Sequence, residues 1–317
     1  MTLKRFLITG GAGFIGSNLT EAMLRRGDAV RVLDNFSTGR RENLVEAKQW
    51  ASAGGGEFDL LEGDMCDPET CRRGMQDVDY VLHQAAIPSV QRSVLDPVGT
   101  NAVNVGGTLN LLEAAREAQV ERFVFASSSS LYGESETLPK IETMPSAPIS
   151  PYGLQKLACE TYCGLYYRLY GLPTVALRYF NVFGPRQDPT SEYSAVIPRF
   201  ITAAKAGQPP TIYGDGEQSR DFTFVANVVR ANQLSCVAGT EALGGAYNIG
   251  CGERITLNEL IAAIGAIVQK EIRPEHVDPR EGDIRHSLAA IDAAAERLGF
   301  RPEVALTEGL QRTVEAY

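Results

Sequence analysis

The segment LKRFLITGGAGFIGSNLTEAMLRRGDAVRVLDN, residues 3–35, decides the fold of this chain. Its pattern predicts a strand, a glycine-rich turn, a helix and a second strand that ends on an acid, at 6–9, 10–16, 17–26, 29–33 and Asp34. A dinucleotide-binding site is built in this order, with the acid about 20 residues after the turn. A glycine turn alone could belong to another α/β protein, but in this context it predicts the dinucleotide site.

Each residue type in this segment suits a bound dinucleotide. Glycines let the backbone approach a pyrophosphate, and the helix start offers N–H groups and the positive end of its dipole to the anion. A carboxylate at Asp34 can accept both ribose hydroxyls and would repel a 2′-phosphate, so the sequence favours NAD over NADP. Arg40 and Arg41 keep NADP open as an alternative, although we expect them to be solvated or near the adenine.

Strands and helices alternate through the first half of the chain. Further strands are predicted at 57–62, 80–83, 122–126 and 174–179, and helices near 41–52 and at 68–75, 101–118 and 152–170. Repeated βα units predict an α/β fold, a Rossmann-like doubly wound parallel sheet that binds ligands at the carboxyl ends of its strands. After about residue 180 the pattern loosens into a smaller α/β substrate-binding lobe. The expected domains are 1–179 and 180–317, with parts of about 222–250 returning to the first domain.

Composition limits the classes of function. The net charge of −9 over 317 residues argues against binding to nucleic acid or to anionic membranes. No apolar run is long enough for a membrane span, and residues 1–5 leave no room for a signal peptide before the first strand, so we expect a cytoplasmic protein. The six cysteines form no C-x-x-C pair and the three histidines do not cluster, so we expect neither a metal site nor a disulfide framework.

Tyr152 and Lys156 are candidates for catalysis, because a spacing of four residues places them on one face of a predicted helix. A tyrosine with a pKa of about 10 is a poor base at neutral pH, but a nearby ammonium and a nicotinamide cation would lower that pKa. The phenolate could then take a proton from a sugar or alcohol oxygen while a hydride leaves the carbon. Such pairs also arise by chance; the dinucleotide segment and the serines at 127–130 favour catalysis here.

Taken together, these motifs resemble the extended short-chain dehydrogenase/reductases. Within them, the chain is most similar to the nucleotide-sugar 4-epimerases that act on UDP-glucose, UDP-galactose and UDP-N-acetylhexosamines. The similarity is carried by TGGAGFIG, DN, NVGGT, SSS, YxxxK and RYFN at 9–16, 34–35, 104–108, 127–129, 152–156 and 178–181, and by motifs at 183–189, 195–198, 214–216, 219–222 and 280–287. It implies NAD as the cofactor, a UDP-sugar substrate and a homodimer that pairs helices 101–118 and 152–170 with their copies, although these faces could instead pack on the sheet.

The resemblance also implies roles for individual residues. Ser128 would hydrogen-bond the sugar O4, Tyr152 would be the base and Lys156 would hold the nicotinamide ribose. Other cofactor-binding residues would be Gly10, Gly13, Phe14, Ile15, Gly16, Asp34, Asn35, Ser37, Gly39, Asp64, Met65, Gln84, Ala85, Ala86, Asn104 and Tyr179. Other substrate-binding residues would be Ser89, Ser129, Asn181, Ala195, Val196, Ile197, Tyr213, Arg220, Arg280, Asp283 and Ser287. Arg220 and Arg280 would clamp the diphosphate, unless they form surface ion pairs.

Residues at two places in the sequence distinguish between the activities of related enzymes. Related dehydratases carry an Asp-Glu pair, and related decarboxylases a Glu, where this chain has Ser129 and Ser130, so 4,6-dehydration is disfavoured. Ser287 would lie beside the sugar C2, where a small residue admits an N-acetyl group; alternatively it ends a helix without touching substrate. We expect an NAD-dependent UDP-hexose or UDP-N-acetylhexosamine 4-epimerase that works through a 4-keto intermediate. The alternatives are a UDP-glucuronate/galacturonate 4-epimerase and a catalytically silent NAD(H)-binding sensor.

Overall fold

The structure is a computed structural model that describes residues 4–189, 196–279 and 284–317. Its strands are β1 Arg5–Thr9, β2 Ala29–Asp34, β3 Glu57–Glu62, β4 Tyr80–His83, β5 Arg122–Ser128, β6 Thr174–Tyr179, β7 Val182–Phe183, β8 Thr211–Tyr213, β9 Ser219–Arg220, β10 Thr223–Phe224, β11 Ala246–Ile249, β12 Ile255–Thr256 and β13 Glu275–Val277. Seven of these strands form one parallel sheet in the order β11-β6-β5-β4-β1-β2-β3. The fold class predicted from the sequence is confirmed.

Helices cover both faces of this sheet. They are α1 Phe14–Arg25, α2 Ala47–Gly54, α3 Pro68–Gly74, α4 Val90–Leu95, α5 Pro97–Asn101, α6 Gly107–Glu117, α7 Pro151–Tyr170, α8 Val196–Ala206, α9 Val225–Val237, α10 Leu257–Val268, α11 Asp292–Leu298 and α12 Leu306–Ala316. Side chains of β1 alternate between the faces: Phe6 and Ile8 pack with α1, α2 and α9, whereas Leu7 packs with α3, α6 and α7. Residues 6–8 of β1 are buried on both faces of the sheet, which explains why all three are apolar.

The predicted helix at 101–118 differs from the observed one. Two short helices, α4 and α5, precede it, and residues Ala102–Gly106 form a π-helical turn between α5 and α6. Asp96 separates α4 from α5, because its side chain accepts the N–H of Gly99 at 2.8 Å and Pro97 follows at the first helical position. The predicted helix near 41–52 is likewise divided, into a 3₁₀ turn at Arg41–Leu44 and α2.

The chain beyond residue 180 contributes both to the sheet and to a second core. Strand β11 pairs with β6 at the sheet edge, and α9 packs against β5 and β6. A separate apolar cluster joins α8, α10 and α12 around residues such as Phe200, Leu260 and Leu310. The domain bounds 1–179 and 180–317 stay a prediction. In the described parts of the chain, no helix is both long and apolar enough to cross a membrane.

Candidate active site

The glycine-rich turn places backbone atoms at the carboxyl end of β1, where its glycines carry no side chains. Gly10 has a φ of +67°, a left-handed conformation that favours glycine. A Cβ on Gly16 would lie 2.1 Å from the carbonyl oxygen of Gly10, so a larger residue there would displace the turn. Helix α1 starts after Gly13 without a side-chain cap. Its first N–H groups and its dipole therefore suit a pyrophosphate, and the residues present fit a dinucleotide.

The end of β2 fits a ribose. Asp34 accepts the N–H of Ala12 at 2.9 Å and that of Phe36 at 2.8 Å, one with each carboxylate oxygen. Burial raises the pKa of Asp34, and these two backbone bonds oppose that rise. Each oxygen keeps a further acceptor position, so the carboxylate can also accept ribose hydroxyls.

The two arginines that kept NADP open both have carboxylate partners. The guanidinium of Arg41 donates to Glu62 at 2.7 Å and lies 3.9 Å from the ring centroid of Phe36. Arg40 pairs with Asp188 at 2.5 Å. Both guanidinium groups are thus engaged by carboxylates, and Asp34 is the residue that suits the ribose. This arrangement agrees with NAD as the cofactor.

One cleft of about 990 Å³ collects most of the predicted site residues at the carboxyl ends of the central strands. The predicted residues that line it are Gly10, Gly13, Phe14, Ile15, Gly16, Asp34, Asn35, Ser37, Gly39, Asp64, Met65, Gln84, Ala85, Ala86, Ser89, Ser128, Ser129, Tyr152, Lys156, Tyr179, Asn181, Arg220 and Ser287. Their positions range from residue 10 to residue 287, so the parallel fold is what brings them together.

The Ser–Tyr–Lys set lies at one end of this cleft. Ser128 ends β5, and Tyr152 and Lys156 occupy the first two turns of α7. Burial raises the pKa of Tyr152 to about 12, while a hydrogen bond with Ser128 acts to lower it. Lys156 is 4% exposed, and its Nζ donates to the carbonyl of Ala126 at 2.7 Å. Burial lowers the pKa of Lys156 to about 8.

The expectation that the Lys156 ammonium and a nicotinamide cation together lower the pKa of Tyr152 stays a prediction. The Nζ of Lys156 lies 5.9 Å from the centroid of the Tyr152 ring and is engaged by Ala126. Burial is the main cause that raises the pKa of Tyr152, and the hydrogen bond with Ser128 acts against it. The oxidised nicotinamide of NAD carries a positive charge that would favour the phenolate of Tyr152.

Four predicted residues have other places in the fold. Asn104 is buried in the π turn, where its amide oxygen accepts the N–H of Ile87 at 2.8 Å and its nitrogen donates to Gln155 at 2.8 Å. It therefore supports the loop after β4 and does not line the cleft. Ile197 is buried in the core of the second lobe, and neither Val196 nor Tyr213 lines the cleft. Ala195, Arg280 and Asp283 lie outside the described residues.

His83, the last residue of β4, has a structural position. The ring nitrogens of His83 lie 2.7 Å from the hydroxyl of Thr9 and 2.9 Å from that of Thr108. Burial lowers the pKa of His83 to about 3, so the ring is neutral at physiological pH. It links β1, β4 and α6 beneath the glycine turn.

Sequence reasoning missed Arg186 and Arg92, which also line the cleft. Arg186 donates to the hydroxyl of Ser17 at 3.0 Å and pairs with Glu21 at 2.9 Å, which ties the loop after β7 to α1. These partners are about 170 residues away in the chain, and no local sequence pattern predicts them.

Within residues 4–189, 196–279 and 284–317, no group of three His, Cys, Asp or Glu side chains could hold a metal ion.

Known proteins resemble this chain over nearly its full length. The model of the NAD dependent epimerase/dehydratase family matches residues 6–250. A UDP-glucose 4-epimerase of Mycolicibacterium smegmatis is 41% identical over 316 residues, which cover 99% of this chain and 98% of that protein.

Two solved structures extend the similarity to three dimensions. The UDP-N-acetylglucosamine 4-epimerase of Methanobrevibacter ruminantium, in complex with UDP-N-acetylmuramic acid, matches with a TM-score of 0.93 and 40% identity, covering 100% of this chain and 98% of that one. The UDP-glucose 4-epimerase of Thermus thermophilus, in complex with NAD, matches with a TM-score of 0.86 and 40% identity over 98% of both chains.

Proposed function

Because this chain belongs to the NAD dependent epimerase/dehydratase family, we propose that it inverts C4 of a UDP-hexose or UDP-N-acetylhexosamine through a transient 4-keto intermediate. The family and the NAD cofactor predicted from the sequence are confirmed. The observation that carries the proposal is the placement of Ser128, Tyr152 and Lys156 in the same cleft as the glycine turn and Asp34. Dinucleotide and sugar would then meet at the tyrosine.

Each of the three residues has a chemical task in this reaction. Tyr152 takes the proton of the sugar 4-hydroxyl and returns it, and Ser128 shares that proton through its hydrogen bond with the phenol. Lys156 would hold a ribose hydroxyl of the cofactor. Bound NAD supplies the acceptor and donor of the C4 hydride. Inversion requires only that the 4-keto sugar presents its other face before the hydride returns.

The two residues after Ser128 disfavour dehydration. Ser129 and Ser130 line the cleft at the positions where an acid would have to protonate a leaving hydroxyl. The hydroxyl of Ser130 is buried and has no hydrogen-bond partner among the described residues. A serine hydroxyl is far too weak an acid for that task, so the 4-keto sugar is reduced again.

Ser287 supports the acceptance of N-acetylated sugars. Its backbone N–H is tied to the carbonyl of Ser219 at 3.0 Å, and its small side chain lines the cleft. Asn181 and Arg220, from the same side, are proposed to contact the UDP group. The roles proposed for Ala195, Arg280 and Asp283 concern residues outside the described ranges.

A UDP-uronate 4-epimerase is the second candidate, and Arg92 favours it. This exposed arginine lies on α4 and lines the cleft near Ser89. A guanidinium there could bind a sugar carboxylate. A silent NAD(H) sensor has less support, since Ser128, Tyr152 and Lys156 are all present and adjacent to one another.

The test is turnover of a small panel of UDP-sugars. Purified protein is incubated with UDP-glucose, UDP-N-acetylglucosamine or UDP-glucuronate, and the C4 epimers are separated chromatographically. Interconversion of the first two pairs is expected. Turnover of UDP-glucuronate alone would select the second candidate, and no turnover with cofactor bound would favour the silent sensor.

We also propose that the enzyme is a homodimer. Four large apolar side chains are exposed on neighbouring helices α4, α5 and α7, namely Val94 at 61%, Leu95 at 77%, Val98 at 80% and Leu154 at 58%. Exposed apolar side chains on helices that contact one another suit a second copy of the chain. The cytoplasmic location expected from the sequence stays a prediction.

Light scattering after size exclusion tests the dimer. Leu95→Lys should shift the protein toward the monomer. The control is Val237→Lys, which alters a residue 74% exposed at the end of α9, away from this face. An unchanged mass for Leu95→Lys, or an equal shift for both variants, would contradict the proposed interface.

A further inference from the structure

One buried hydroxyl on helix α4 is hydrogen-bonded to α7, the helix that carries Tyr152. Ser93 is fully buried, and its Oγ donates to the carbonyl of Val90 at 2.6 Å. The same Oγ accepts the backbone N–H of Tyr152 at 3.0 Å. The two residues are 59 positions apart, so this bond is a tertiary contact and not part of either helix.

The bond satisfies a donor that α7 cannot satisfy by itself. A helix leaves the N–H groups of its first turn without partners in the helix. In α7 the first position is Pro151, which has no N–H, and the cap Ser150 accepts from Gly153 at 3.1 Å and from Leu154 at 3.0 Å. The N–H of Tyr152 is the donor that remains, and Ser93 supplies its acceptor.

We propose that Ser93 is a positioning residue for the epimerase reaction, which fixes the backbone of Tyr152 so that the phenol stays aligned with Ser128 and the sugar oxygen. This inference rests on the proposed function. Ser93 is not a catalytic residue in this account, because it reaches the chemistry only through the backbone of Tyr152.

The second turn of α7 has its own anchor, which separates positioning from folding. Gln155 donates to the hydroxyl of Thr100 at 3.0 Å and accepts from Asn104 at 2.8 Å. Loss of the Ser93 bond would leave these contacts in place. The helix would then stay docked while its first turn gains freedom to tilt, and the phenol would move relative to Ser128.

A small tilt is enough to affect the rate. A misplacement of about 1 Å can lower a rate by about 100-fold, since proton transfer needs the donor and acceptor within hydrogen-bond distance. Movement away from Ser128 would also remove the hydrogen bond that lowers the pKa of Tyr152. Because the active base is the deprotonated phenol, the limb of the pH–rate profile that depends on it would shift to higher pH.

The test compares Ser93→Ala with a matched variant, Ser235→Ala. Ser235 is also fully buried in a helix, α9, and its Oγ donates to the carbonyl of Ala231 at 2.8 Å, but it does not line the cleft. Both variants lose one buried hydroxyl and its bond to a helix carbonyl. The rescue variant is Ser93→Thr, which keeps an acceptor oxygen at the same place.

Three readouts distinguish positioning from general structure. Ser93→Ala should lower kcat by about 10- to 100-fold with KM changed by less than about twofold, and should shift the pH limb upward. Hydrogen exchange of the Tyr152 amide should become faster. Ser235→Ala should leave kcat and the pH limb near the wild-type values, and Ser93→Thr should restore most of kcat.

Either of two results would overturn the positioning role in an active enzyme. One is a kcat for Ser93→Ala no lower than that for Ser235→Ala; the other is unchanged exchange of the Tyr152 amide. Failure of the wild-type protein to epimerise any UDP-sugar would instead reject the proposed function on which this role depends. The two failures are therefore distinguishable in one set of assays.

Discussion

The two ends of the cleft are built by different means. At the nucleotide end, backbone atoms form most of the site. The turn at Gly10 and Gly16 leaves no room for side chains, and Asp34 is held by two backbone N–H groups. At the reaction end, side chains from separate elements meet, as Ser128, Tyr152 and Lys156 do. A backbone-built site depends on residue types that are close in sequence, whereas a side-chain-built site depends on tertiary contacts that local sequence does not specify.

The largest effect is expected at the reaction end, from Tyr152→Phe. The substitution removes only the phenolic oxygen and leaves the ring that packs beside Lys156. Turnover of UDP-sugars should fall by about 10²- to 10⁴-fold, the range typical of a lost acid–base group. Product separation measures the turnover and circular dichroism checks the fold. Activity near the wild-type value in a folded variant would refute the role of Tyr152.

At the nucleotide end, Gly16→Ala should be the most damaging change. The added methyl would lie 2.1 Å from the carbonyl oxygen of Gly10, and overpacking of this kind costs about 1–3 kcal/mol. Calorimetric titration should show weaker binding of NAD, and urea titration a lower free energy of unfolding. The control is Gly74→Ala, whose methyl would meet its nearest neighbour, Leu7, at 3.6 Å. Equal losses for both variants would contradict a steric role specific to the turn.

Burial of Lys156 predicts a stability effect that depends on pH. The pKa of this lysine falls from 10.5 to about 8 on folding, so between these values the unfolded state binds more protons than the native state. The contribution of Lys156 to the free energy of unfolding should therefore rise with pH in this window, by about 2 kcal/mol from pH 7.5 to 9.5. Because other groups titrate in the same window, this contribution is measured as the difference between the wild type and Lys156→Met, which lacks the titration.

Urea titrations at the two pH values measure this difference. Lys48→Met, which removes an exposed lysine from α2, is the control for a general loss of positive charge. A parallel pH dependence of the wild type and Lys156→Met would show that the buried ammonium does not titrate as described.

At the substrate side, Ser287→Tyr should change the preference between substrates. A tyrosine side chain at this position of the cleft should exclude an N-acetyl group while leaving room for a hydroxyl. Steric discrimination in a pocket is worth about 1–3 kcal/mol, so kcat/KM for UDP-N-acetylglucosamine should fall about 10- to 200-fold relative to UDP-glucose. Equal losses on both substrates would contradict the assignment.

These two ends also explain how much could be predicted from sequence. Gly10, Gly16 and Asp34 were found because their spacing is local and each residue type has a specific backbone task. Tyr152 and Lys156 were found from helical spacing, but the burial that raises the pKa of Tyr152 was not. That outcome depends on how deeply α7 is covered, which only tertiary packing determines.

Other parts of the site had no local signal. Arg186 and Ser93 act on residues 169 and 59 positions away, and a single arginine or serine in a loop or short helix does not predict such contacts. Asn104 was placed in the cleft by resemblance, yet the π turn directs its amide to Ile87 and Gln155 instead. The irregular turn breaks the 3.6-residue period on which the sequence interpretation of 101–118 depended.

A UDP-sugar that carries deuterium at C4 tests whether a hydride is transferred within this cleft. Epimerisation through a 4-keto sugar requires that the C4 hydrogen leaves the sugar as a hydride, stays within the cleft and returns to the opposite face. Mass spectrometry of the epimerised product should therefore find the deuterium retained at C4 in ordinary water. Loss of the label to solvent during epimerisation would contradict hydride transfer in this cleft, and with it the role assigned to Tyr152.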